Sequence, residues 1–372
     1  MGEGRRCINF SAGPAQLPEC VLHQAANAMI DITPEGLGIS IAELGHRVPT
    51  YERIHNEVID TLKALLNIPD SHSVLLMSGG GSLQFSAVPL NLLPHQGAIA
   101  DYVVSGSWSK KAAVEASKYA DVNIVFDGKE SCYKRIPHEN LKYSENASYV
   151  YYCANETVDG NEFYSIPECP ANIPLVGDFS STFLSRPLPK NVFSKFGVIF
   201  AGAQKNIGPP GLCIVIIRND LIGKALPITP LMCDYNTFRS TNSLYNTPPT
   251  ISIYMAGLTL KWIQSIGGLE EVEKINNAKA QILYDTIDNS RLFTCSVDKS
   301  CRSRVTAVFN VVESHQHLLK TFVSESEKEG FVGLAGHRSV GGLRAALFNA
   351  QSIDNVKKLT CFMKEFEKRY FD

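Results

Sequence analysis

The chain has 372 residues, 44% hydrophobic and 19% charged, with a formal net charge of −2 and a pI near 6.5. That length can bury one large core and a smaller one. No basic stripe stands ready for a phosphate backbone, and no apolar run nears the ~20 residues of a membrane helix. Neither nucleic acid nor a membrane is an expected partner.

The N-terminal stretch through Ser11 has two arginines but no apolar segment behind them, which argues against a signal peptide. Arg6 stands where a myristoylation motif wants Ser or Thr. Ten cysteines, from Cys7 to Cys361, form no C-x-x-C pair. Reduced thiols, no metal site and a cytoplasmic location are therefore expected. Glycosylation sequons begin at Asn9, Asn146 and Asn155, and matter only in a secreted chain.

Apolar β-rich runs predict strands at Ser73–Met77, Ile99–Val104, Val122–Val125, Tyr149–Cys153, Pro174–Val176, Val198–Ala201 and Cys213–Ile217. Helical patterns such as Ser82–Leu92 and Trp108–Tyr119 lie between them. Such alternation predicts an α/β fold with a mostly parallel sheet flanked by helices. Strands without polar alternation, such as Val198–Ala201, fit a sheet covered on both faces. A helix from about Thr250 should stop at Gly267-Gly268. Another, from Leu269 to about Asp288, opens a segment with a weaker strand (Arg304–Val311) and closing helices. A boundary at these glycines gives a large domain over 18–268 and a smaller C-terminal α/β domain over 269–372.

Asp178 and Lys205 each follow directly on an apolar strand, so both should lie at strand carboxyl ends, where open α/β sheets bind ligands. Only Asn206–Pro210 separate Lys205 from the next strand, too few residues for a crossover helix. The strands on either side should form an antiparallel hairpin. A lysine leaving a buried strand has a desolvated amine suited to imine chemistry. An Asp on a neighbouring strand end suits the pyridinium nitrogen of pyridoxal 5′-phosphate. Singly, each residue reads as well as a surface lysine or a helix-capping Asp; together they favour that cofactor.

Gly79-Gly80-Gly81 follows a strand and opens a helix, an arrangement that admits a phosphate, with Ser82 able to cap. It also reads as a flexible βα loop. A dinucleotide fold would use Asp101 on the ribose, but Gln84 stands where its third glycine belongs. G-x-x-x-x-G-K-[ST] is missing. Trp108, opening the next helix, could stack on an aromatic cofactor or simply fill the core.

With these residues in place, the chain resembles the phosphoserine aminotransferases, fold-type I pyridoxal-phosphate enzymes of serine biosynthesis. The resemblance runs from Phe10–Ala15 to the C-terminal helix. It rests on Tyr151–Thr157, Phe200–Asn206, Ser243–Pro249 and Gly336–Arg344, in that order. It implies that Lys205 is the Schiff-base lysine, Asp178 the pyridinium partner, Trp108 the stacking residue and Thr157 the hydroxyl near the phenolic oxygen. Gly81, Ser82 and Gln204 resemble the phosphate site, completed by Asn246 and Thr247 from the other subunit of a homodimer. His46, Arg47, His337, Arg338 and Arg344 resemble the substrate residues. Arg344 suits the α-carboxylate and the His–Arg pairs suit the distal anion. Without the resemblance, those exposed charges read as solvated loops or salt bridges. Residues 1–17 should pack as an arm on the smaller domain.

The implied reaction moves an amino group reversibly between glutamate and 3-phosphohydroxypyruvate, giving 2-oxoglutarate and O-phosphoserine with ping-pong kinetics. Ser82-Leu83 depart from the family's phosphate loop, and Pro209-Pro210 stiffen the turn after the lysine. A cysteine desulfurase on the same scaffold would have His, not Gln204, before the lysine and a catalytic Cys on a mobile loop. A non-catalytic phosphate-binding protein would leave the Lys205–Asp178 pair unexplained.

Overall fold

The computed structural model describes residues 6–32, 38–137 and 141–371. After β1 (Ile8–Asn9) come helices α1 (Glu19–Ala28) and α2 (Pro49–Leu66). The chain then alternates: β2 (His72–Ser78), α3 (Gly80–Leu92), β3 (Ile99–Val104), α4 (Ser107–Ala116) and β4 (Asp121–Asp127). Next come β5 (Val150–Cys153), a short hairpin of β6 (Asn155–Glu156) and β7 (Asn161–Glu162), and β8 (Leu175–Asp178). Strands β9 (Phe196–Gly202) and β10 (Leu212–Arg218) precede α5 (Tyr235–Ser240) and α6 (Thr250–Ser265). The remainder is α7 (Gly268–Asp288), β11 (Phe293–Thr294), β12 (Thr306–Val311), α8 (Leu318–Lys328), β13 (Phe331–Val332), β14 (Leu343–Ala346) and α9 (Ile353–Phe371).

Seven strands form the main sheet in the order β2-β10-β9-β8-β5-β3-β4. Only β10 runs against the rest, antiparallel to both β9 and β2. The short link after Lys205 thus makes the hairpin its length demanded. Every residue of β9 is buried, as expected of a strand covered on both faces. On one face, α2 and α6 close a core through Val58, Leu62, Ile253 and Leu260. On the other, α3 and α4 contribute Phe85, Val88, Ala112 and Ala116. Helix α2 repeats apolar residues at Tyr51, Val58, Leu62 and Leu66, begins with Pro49 and ends at Asn67 with φ 52°, so pattern and caps agree.

A second core gathers α7, α8 and α9 against the three-stranded sheet β11-β12-β14. The N-terminal segment joins it: β1 pairs in parallel with β13, and Phe10 is wholly buried there. Residues 1–5 of the expected arm lie outside the described residues. Among the described residues no helix is long and apolar enough to cross a membrane.

Candidate active site

Strands β2, β3, β5, β8 and β9 run the same way, so their carboxyl ends share one edge of the sheet. The strand ends, loops and helix starts at that edge carry Gly79–Gly81, Trp108, Thr157, Asp178, Gln204 and Lys205. The parallel topology therefore gathers residues spread over 126 positions of sequence.

Asp178 and Lys205 leave adjacent strands, β8 and β9, which pair in parallel with Asp178 opposite Phe200. Burial pushes the Lys205 amine below its ordinary range, opposed chiefly by Asp178. Burial raises Asp178, opposed by Lys205 and by Ser180, whose N–H donates to Oδ1 at 2.8 Å. Each charge is costly here, so the amine is held toward its neutral, nucleophilic form. Lys205 Nζ lies 5.9 Å from the centroid of the Trp108 ring, and the indole Nε1 donates to Thr157 Oγ1 at 3.0 Å.

The glycine loop differs from expectation in one respect. Helix α3 begins at Gly80, with Gly79 (φ 93°) as its N-cap. Ser82 is therefore not the cap; it is exposed, the third residue of the helix. The left-handed turn that glycine permits starts the helix two residues early. No side chain caps this end, which leaves first-turn N–H groups for an anion. A Cβ on Gly81 would lie 3.0 Å from Ser180 Oγ, and one on Gly202 would lie 2.7 Å from Gln204 Oε1 and 3.3 Å from Gly81 N. Gly81, Ser180 and Gln204 thus surround one small space. Ser180, which also accepts from Gly202 N at 3.1 Å, joins the site without a sequence signal, since a serine after a strand carries no distinguishing pattern.

At the mouth of the site, Arg344 Nη1 donates to the Thr157 carbonyl at 3.1 Å, while its Nε is buried without a partner. Gly341 and Gly342 (φ 68° and 70°) form the turn that brings β14 back, and Gly336 N donates to Gly342 O at 2.9 Å. Burial, then the charges of Arg344, Lys111 and Arg338, depress the pKa of His337. Lys111, another residue the sequence did not single out, holds its ammonium 4.3 Å from the Trp108 ring centroid. The structure thereby brings His337 and Arg344 together with exposed Arg338.

His46 is buried, with Nε2 lacking a partner, and desolvation followed by Arg47 lowers its pKa. Arg47, Asn246 and Thr247 are exposed, and among the described residues no hydrogen bond joins these or His46 to the lysine site. The other early alternatives resolve structurally. Asp101 is wholly buried and accepts from Asn123 at 2.8 Å and Ser144 N at 2.7 Å, so no ribose reaches it. Asn155 is buried and donates to Ser181 Oγ at 2.9 Å, which leaves no room for a glycan.

The site fits a planar ring with an anionic tail and a basic nitrogen. The uncapped helix and glycine cradle suit the phosphate, Asp178 the nitrogen, and Trp108 the ring face. The orphaned Arg344 Nε is a donor placed for a carboxylate.

Residues 7–359 match the aminotransferase class-V family. The phosphoserine aminotransferase of Drosophila melanogaster is 48% identical, covering 97% of this chain and 98% of its own. The solved phosphoserine aminotransferase from Bacillus circulans subsp. alkalophilus superposes with a TM-score of 0.93 at 42% identity, covering 98% of this chain and 99% of its own. The PLP-bound phosphoserine aminotransferase from Trichomonas vaginalis superposes with a TM-score of 0.90 at 37% identity, covering 96% and 100% respectively. On a sheet edge that already assembles the lysine, the aspartate and the phosphate cradle, these likenesses settle the family: the chain belongs to the class-V aminotransferases and, within them, to the phosphoserine aminotransferases.

Proposed function

We propose that this pyridoxal-phosphate enzyme transfers an amino group reversibly between glutamate and 3-phosphohydroxypyruvate, giving 2-oxoglutarate and O-phosphoserine. The observation that carries the reading is the juxtaposition of buried Asp178 and partly buried Lys205 at the ends of adjacent parallel strands, with the pKa of the lysine amine lowered chiefly by desolvation.

When bound, pyridoxal phosphate supplies an aldehyde carbon for amine attachment and a ring that accepts electrons. The chain does the rest. Lys205 Nζ holds the cofactor at rest, then removes and returns the proton at the substrate Cα. Asp178 keeps a proton on the ring nitrogen. The first turn of α3, with Gly81, Ser82 and Gln204, holds the phosphate. Trp108 would cover one face of the bound ring, and the Thr157 hydroxyl, tied to the indole Nε1, would offer a hydrogen bond to the ring oxygen. Arg344 grips the α-carboxylate through its fork, and His46, Arg47, His337 and Arg338 receive the distal phosphate or carboxylate.

Three further readings belong to this proposal. The enzyme works as a homodimer in which Asn246 and Thr247 of each subunit complete the other's phosphate site; their exposure supports this. The chain divides into a large domain, 18–268, and a small one, 1–17 with 269–372; separate hydrophobic cores support this. The cytosol is its compartment, in keeping with ten free thiols. The central test is amino transfer from O-phosphoserine to 2-oxoglutarate by wild type and by Lys205→Ala. Wild type should turn over and the variant should not; activity surviving in the variant would overturn the mechanism.

A further inference from the structure

Trp108 is the second residue of α4, and the N-cap of that helix, Gly106, has no side chain to offer. The free N–H groups are met instead from a turn far along the chain. Glu156, wholly buried, accepts from Trp108 N at 2.7 Å, from Ser109 N at 2.8 Å and from Ser109 Oγ at 2.6 Å. Asp159 accepts from Ser107 N at 2.7 Å. Between them, Thr157 accepts from the indole Nε1 at 3.0 Å and, through its carbonyl, from Arg344 at 3.1 Å.

One four-residue turn therefore holds Trp108 by its backbone and by its ring. The same turn holds Arg344. Room for the carboxylates exists because residue 106 is glycine: a Cβ there would lie 2.5 Å from Glu156 Cδ and 2.7 Å from Asp159 Oδ2. A Ser or Asp at the N-cap would end this helix without burying a distant carboxylate, which is a costly way to satisfy an N–H. What the distant carboxylate adds is a rigid link between the first turn of α4 and the end of β6.

We propose that Glu156 is a positioning residue for the reaction: through the backbone of Trp108 it sets the plane of the indole against the bound cofactor ring. The proposal rests on the reading of Trp108 as the stacking residue. Glu156→Gln keeps the volume and one acceptor oxygen but turns an amide donor toward one of the two N–H groups. In the purified enzyme, stripped of pyridoxal phosphate and titrated with it, the variant should bind about tenfold more weakly, the scale of a lost supporting contact. Its visible circular dichroism band, which reports the asymmetry imposed on the bound ring, should diminish. In a Trp108→Ala background the same substitution should change the dissociation constant by less than about twofold, because the two act as a unit.

An undiminished dichroism band with wild-type affinity in Glu156→Gln would overturn the proposal. So would a full tenfold effect in the Trp108→Ala background. A Trp108→Ala enzyme that binds pyridoxal phosphate normally would remove the stacking role itself, and this proposal with it. Should Glu156→Gln fail to fold, Glu156→Asp keeps the charge and withdraws it by one methylene. It is expected to weaken binding in the same direction, and wild-type affinity and dichroism there count against the proposal.

Discussion

Replacing Glu156 by Gln should raise stability above neutral pH relative to acid. Glu156 is wholly buried, and its pKa is raised from 4.5 to about 7 by burial first and by Asp159 second, against bonds from Ser109 and Trp108. A carboxyl whose folded pKa exceeds its unfolded value takes up a proton on folding between those two values. Stability must therefore fall as pH rises from about 4.5 through 7. Below that window both states are protonated and nothing is lost; above it both are ionised and the loss is complete. At about 1.4 kcal/mol per pH unit, the loss comes to roughly 3 kcal/mol. Glutamine does not titrate, so the stability of the variant minus that of wild type should climb by about that amount between pH 4.5 and 8. Urea unfolding of both apoenzymes at matched pH values measures this, since cofactor binding then contributes nothing. A difference that stays flat, or declines toward alkaline pH, would refute the reasoning. Ionised Glu156 thus costs the fold stability while accepting from the backbone of Trp108 and Ser109.

Gly81→Ala puts a methyl 3.0 Å from Ser180 Oγ, which is itself tied to Gly202 N, so the crowding falls on the phosphate cradle. A cost of about 1–2 kcal/mol should weaken pyridoxal-phosphate affinity roughly tenfold, read by equilibrium titration. Arg344→Lys replaces a fork by a point charge. KM for glutamate and for O-phosphoserine should both rise, by about 10-fold or more, with cofactor affinity unchanged. Lys279 is wholly buried on α7 and donates to the carbonyls of Leu347, Phe348 and Gln351 at 2.8, 2.9 and 3.0 Å. Burial depresses its pKa to about 7. Lys279→Met leaves the carbonyls of Leu347 and Gln351 unmet, while Phe348 O keeps the Gln351 N–H, and a net loss of about 2 kcal/mol should appear in the urea midpoint, with kcat of the folded enzyme little changed.

The lysine and the aspartate were legible because strand ends can be read from apolar runs, and in a parallel sheet those ends meet. The hairpin after Lys205 was legible from loop length alone. Helix starts were less so. Ser82 looked like a cap, but the left-handed conformation of Gly79 starts the helix earlier, and α4 begins at Ser107 where the pattern suggested Trp108. The pairing of β1 with β13 had no clear local signal, since a two-residue strand is defined only by its partner.

Alone, then, the amino-acid order determined the α/β layering, the strand ends that carry Asp178 and Lys205, and four motif strings that resemble the family's. The layering and the strand ends are local properties, set by hydrophobic period and by the backbone freedom of glycine. Only the tertiary structure decided which polar residues support the site. Ser180 braces the glycine loop, Lys111 joins the cationic mouth, and Glu156 and Asp159 reach across 47 or more positions to cap α4. Nothing in the residues beside a buried carboxylate tells which distant N–H it will meet. Its partner is chosen by the packing of strands and helices, because a buried charge is tolerated only where the fold happens to supply donors.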